Sequence, residues 1–144
     1  MDELQVLSVT TEIALWELFQ SGRTANLTFG IGMVIAIWVA ARFSSVAMEK
    51  GVNMFGKVIL TLFAASVLFG GLNLMMTTDA VWIAHANALA GLDAGNGAAT
   101  LSEGSMRYIA ENSESNPIRM IAGGIFYICG FLIAIAPIWF DPTK

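Results

Sequence analysis

Residues 119–141 read RMIAGGIFYICGFLIAIAPIWFD. Between the two charges, Arg119 and Asp141, the only ionisable side chains are Tyr127 and Cys129. A helix over the intervening stretch rises about 31 Å, which matches a bilayer hydrocarbon core of roughly 30 Å. Asn116 and Pro117 precede it as N-cap and first helical residue, where proline's missing N–H costs nothing. Asp141-Pro142 closes it, and Pro137 falls in its last turn, where a kink is expected. The pattern predicts a transmembrane helix over residues 118–140.

Two earlier stretches read the same way. Residues 58–77, VILTLFAASVLFGGLNLMMT, carry no charge, and Asn73 is their one strongly polar side chain. Residues 25–43, ANLTFGIGMVIAIWVAARF, hold Asn26 and Arg42 near their ends, and Arg42 reaches the headgroups from the last turn. Composition agrees: 56% of residues are hydrophobic and 12% charged, with a mean hydropathy of +0.69. That charged share is about half that of a soluble domain, too low for a disordered chain and too apolar for a soluble monomer. In lipid only helices or closed barrels satisfy the backbone, and these runs are continuous rather than alternating. The expected fold is all-α: one integral membrane domain over residues 1–144 with three transmembrane helices.

The remaining segments are more polar. Residues 1–22 are expected to form an interfacial helix with an untidy amphipathic pattern. Leu4, Leu7, Leu15 and Leu18 share one face, while Val9, Ile13 and Trp16 fall on another. Trp16 and Phe19 are its expected headgroup anchors, and Ser21-Gly22 its expected end. The acidic opening MDELQVLSVTTE lacks the basic region of a cleavable signal peptide, so the first span is expected to act as an uncleaved insertion signal. Residues 78–117 form a partly helical outer segment. Its first part is read either as a helix capped by Asp79 and closed by Gly91 or as a continuation of the second span. Thr100 and Glu103 then stand at capping-box spacing for a short helix.

Arg42, Lys50, Lys57 and Lys144 fall near or within the short 44–57 connection and the C-terminal end, against Arg23, Arg107 and Arg119 spread over the longer opposite side. This density predicts a cytoplasmic short loop and C-terminus, with the N-terminus outside a plasma or inner membrane. Nine of the eleven acidic residues then lie outside, giving a negative outer face suited to cations or a basic partner.

The chemistry is sparse. A net charge of −4 offers no basic field for nucleic acid. Mid-span there is no acid, lysine or histidine of the kind proton relays and coupled transporters use. Cys129 is alone and lies in apolar surroundings, and no nucleophile or phosphate-loop motif occurs. No catalytic residue and no cofactor is expected. The single histidine, His85, cannot supply both axial ligands of a haem, although it could give one ligand to a chlorophyll-type pigment or a shared metal, with the rest from a partner. With Met75 and Met76, and with Met106 and Met120 on the same side, it forms the one candidate metal set, since thioethers suit Cu(I).

Small residues recur at fourth positions in each span. They are Gly32, Ala36 and Ala40 in the first, Ser66 and Gly70 with Gly71 in the second, and Gly130 and Ala134 beside Gly123-Gly124 in the third. Such faces let helices approach closely in lipid, and Asn73 adds an expected hydrogen bond across helices. They serve either internal packing or docking onto other transmembrane subunits. The leading expectation is a small, non-catalytic accessory subunit of a larger membrane complex. The alternatives are a homo-oligomeric, holin-like pore and a redox or copper-binding accessory of a membrane enzyme.

Overall fold

The computed structural model describes residues 3–95 and 101–140. Among them lie four helices and no strand: α1 (Glu3–Glu49), α2 (Met54–Gly95), α3 (Glu103–Asn112) and α4 (Pro117–Trp139). Three contain stretches long and apolar enough to cross a membrane, within Val6–Glu49, Met54–Leu92 and Pro117–Trp139. Only 11%, 17% and 22% of the residues in their most apolar windows are buried by the protein itself. The remaining surface is hydrocarbon-like and contacts the bilayer. The chain is an all-α, multi-pass membrane protein.

Two expected breaks are absent. Ser21-Gly22 does not end the first helix, because one glycine costs a helix only about 1 kcal/mol and Gly22 adopts no left-handed conformation. The Thr24 hydroxyl instead bonds back to the Gln20 carbonyl at 2.9 Å. Asp79 and Gly91 likewise neither start nor close a helix, and α2 continues the second span to Gly95. The expected 44–57 connection contracts to residues 50–53. There the Gly51 and Val52 amides donate to the Met48 and Ala47 carbonyls, both at 3.1 Å. This is a Schellman ending with Gly51 as its left-handed residue, at φ 71°. Asn53 then caps α2, its Oδ1 accepting from the Gly56 amide at 2.9 Å. Gly51→Ala has room for its methyl but not for its backbone angle. It should destabilise the α1–α2 turn by about 1–2 kcal/mol, measured as a lowered thermal midpoint in mild detergent.

The chain divides into two compact units, one from Met1–Asn26 and Thr77–Pro117, the other from Leu27–Met76 and Ile118–Lys144. In the second unit α1, α2 and α4 form an up-down-up bundle around Ala40, Ala64 and Ala134, with Ala41, Phe131 and Ile135 packed on them. At one end of this unit the Lys57 ammonium donates to the Ile138 carbonyl at 3.2 Å, a cation against the C-terminal end of α4. The Trp139 indole donates to Thr61 Oγ1 at 2.9 Å, and Lys57 Nζ lies 5.9 Å from the centre of that indole. A lysine and a tryptophan at helix ends are the usual furniture of a bilayer boundary.

In the first unit the opening half of α1 packs with the far half of α2 and with α3. Leu89, Ala86, Leu101 and Phe19 are buried there. Ser102 is the N-cap of α3, its hydroxyl accepting from the Ser105 amide at 3.3 Å. The expected capping residue Thr100, like the expected stop at Asp141-Pro142, lies outside the described residues.

Candidate functional site

Two sets of residues stand out as candidates, one in each unit. In the membrane bundle, four of the small residues singled out by their spacing sit where helices touch. A methyl on Gly71 would overlap the Tyr127 ring, and one on Gly123 would overlap the Met75 thioether. A methyl on Gly70 would stand 2.9 Å from the Met33 methyl, and one on Gly130 2.9 Å from Ile37. Ala40 and Ala134 are in the core, and Ala36 is half-buried. Gly32 and Gly124 are different, since nothing lies within 4 Å of a methyl built there. Ser66 is exposed, with its hydroxyl turned to the Phe63 carbonyl of its own helix at 2.7 Å, and Asn73 is exposed too.

The spacing that organises this bundle is a heptad of mixed sizes rather than a four-residue repeat of small ones. Met33, Ile37, Ala40 and Ser44 on α1, Thr61, Ala64, Leu68 and Gly71 on α2, and Tyr127, Gly130 and Ala134 on α4 follow alternating steps of three and four. Large knobs meet small holes along these seams. The central Ala64 was legible by this rule and invisible to a search for small residues at every fourth position.

The first unit encloses a polar network. Glu12 is buried, 8% exposed, with no cation paired to it among the described residues. Its Oε1 accepts from the hydroxyls of Ser102 and Ser105, both at 2.5 Å, and from the Ser102 amide at 3.2 Å. The Trp16 indole donates to Ser105 Oγ at 2.8 Å, which joins α1 to α3 a second time. Beside this network the His85 ring stacks on Phe19 at 4.3 Å and meets the rings of Trp16 and Tyr108 edge-on at 4.8 and 5.2 Å. The Tyr108 hydroxyl donates to the Trp82 carbonyl at 3.3 Å, and Arg23 lies 5.8 Å from the Trp82 ring centre.

This arrangement corrects one expectation. Phe19 is buried and Trp16 half-buried among protein rings, so neither is free to anchor in headgroups. The inward stripe of α1 is Ser8, Glu12, Leu15 and Phe19, a heptad in which the two polar members disguised the face.

His85 is 7% exposed, and its Nε2 is buried without a hydrogen-bond partner among the described residues. Met75 and Met76 belong to the membrane bundle rather than to the unit that holds His85. Among the described residues no three His, Cys, Asp or Glu side chains converge as a metal set would.

Burial pushes the Glu12 carboxyl up, but the two hydroxyls and the Ser102 amide outweigh it and hold the group below its ordinary 4.5. Burial alone holds His85 below 6.5, in its neutral form. Both groups are lowered, so both contribute stability at higher pH and lose it on acidification. The His85 contribution is full above about pH 6.5 and falls as pH drops through its lowered native value. The Glu12 contribution is full above about pH 4.5 and falls below that in the same way. Amide exchange in α3, corrected for its intrinsic pH dependence, should therefore accelerate in two steps as pH falls from 7.5 to 3. His85→Phe should abolish the upper step alone.

No protein family, curated protein or solved structure matches the chain. What the fold and these sites define is a class: an all-α, multi-pass membrane protein with a heptad-packed bundle and another unit tied together by a buried carboxylate. The particular role within that class has to be read from the surfaces the protein leaves open.

Proposed function

We propose that the chain is a small, non-catalytic accessory subunit of a larger membrane complex, with its N-terminus outside a plasma or inner membrane and its C-terminus in the cytoplasm. The observation that carries this reading is the division among its glycines. Gly70, Gly71, Gly123 and Gly130 are consumed by internal contacts, while Gly32 and Gly124 stand open on membrane helices. Open glycines on a lipid-facing surface weaken a helix by about 1 kcal/mol each relative to alanine, and close approach of a neighbouring helix offsets that loss. The spans hold few groups that could do chemistry by themselves: Arg42 and Arg119 at their borders, Tyr127 and Cys129 within.

Leucine at Gly32 and Gly124 tests the reading. The bundle should keep its thermal midpoint, since no protein atom lies within 4 Å of a β-carbon at either position. Distinct, larger chains that co-purify with the native protein after gentle detergent extraction should be lost. A native preparation that contains only copies of this chain, and that permeabilises membranes, would replace the subunit reading with the pore.

A further inference from the structure

The opening half of α1 turns polar side chains inward and apolar ones outward. Ser8 and Glu12 point into the protein, at 3% and 8% exposure, while Val6, Leu7, Val9, Ile13 and Leu18 point out, at 46%, 63%, 45%, 54% and 72%. Thr10 stands in the same outward row, and its hydroxyl is turned back to the Val6 carbonyl at 2.8 Å, so it presents its methyl. The row Glu3, Val6, Thr10, Ile13, Glu17 keeps heptad spacing and ends in an exposed carboxylate on each side. Fourteen residues separate these carboxylates, about 21 Å along a helix.

We infer that this stripe is a docking surface for one helix of a different protein. That helix would carry apolar residues at heptad spacing and a lysine or arginine at each end of the matching stretch, about four turns apart. The charges select this occupant. Helices that lie on lipid carry cationic polar faces, whereas this stripe is bounded by acids that anionic headgroups repel. A second copy of the chain fits no better, because antiparallel pairing sets Glu3 against Glu17 and parallel pairing sets each acid against itself. A foreign basic-ended helix satisfies both ends and covers the apolar centre. The inference rests on the subunit reading and names the surface and the chemistry of the partner.

The test is photo-crosslinking in native membranes from benzoylphenylalanine placed at Ile13 of the full chain. The expected product joins the chain to a single different protein, through a helix with the apolar spacing and basic ends described. Glu3→Lys with Glu17→Lys should reduce that product about tenfold, and acidic replacements at the partner's basic positions should restore it. Unchanged protection of the Ser102 and Ser105 amides shows that the double variant keeps its fold. Crosslinks to lipid or to a second copy overturn the inference, as does the absence of any crosslink while larger chains still co-purify. In that last case the subunit reading stands, whereas the loss of all co-purifying chains removes both.

Discussion

Gly71→Leu is expected to drive α4 away from α2 and to destabilise the membrane bundle by about 3 kcal/mol, at the upper end of overpacking effects. Gly71 is buried, and even the first carbon of a side chain there falls on the Tyr127 ring. Tyr127 has little open space to yield into, since it is itself buried. Thermal unfolding followed by near-ultraviolet circular dichroism in mild detergent measures the effect. Truncating the obstacle provides the control. Tyr127→Ala should be destabilising alone, yet should recover part of the loss when combined with Gly71→Leu, a favourable coupling in a double-mutant cycle. If leucine at Gly71 proved as harmless as leucine at Gly32, the close contact between these two helices would be wrong.

The second large effect belongs to Glu12. Glu12→Ala leaves two hydroxyls and the Ser102 amide facing an apolar methyl, in a site where Ser105 is fully buried. Bonds to a charged acceptor contribute about 1.5–3 kcal/mol each, and abandoned buried donors add their own penalty. Removing the carboxylate also relieves the cost of burying its charge, which offsets part of these terms. A net loss of about 3 kcal/mol is expected, concentrated in the tie between α1 and α3. Amide exchange reads it directly: protection of residues 103–112 should fall about a hundredfold. Glu12→Gln keeps an acceptor oxygen but loses the charge, so its effect should be intermediate. Equal protection in all three proteins would show that α3 is held by its apolar contacts alone.

The sequence made some features plain and hid others for physical reasons. The three spans were legible because a bilayer demands about twenty apolar residues, and few competing structures ask for that. Pro117 marked the start of α4 correctly, since proline is at home only where its missing N–H is not needed. Gly22 misled because a residue that favours an end does not impose one when the flanking turns are good helix formers, and for the same reason α2 follows the continuation reading past Asp79 and Gly91 rather than the capped-helix one. Glu12 was illegible as a site. Its role depends on Ser102 and Ser105, about ninety residues away, which no local pattern connects to it. The same holds for His85, whose lone occurrence drew attention but whose neighbours Phe19, Trp16 and Tyr108 come from two other helices.

Cys129 offers the most direct test of the central claim that three helices are surrounded by hydrocarbon. It is the chain's only cysteine, and it is exposed on the surface of α4. Thiols react with maleimides as thiolates, which form in water and not in lipid. A water-soluble maleimide added to opened membrane vesicles should leave Cys129 unmodified, should label an Asn53→Cys variant in the α1–α2 turn, and should label Cys129 only after denaturation. Rapid labelling of Cys129 in intact membranes would place α4 in water and contradict the bilayer placement.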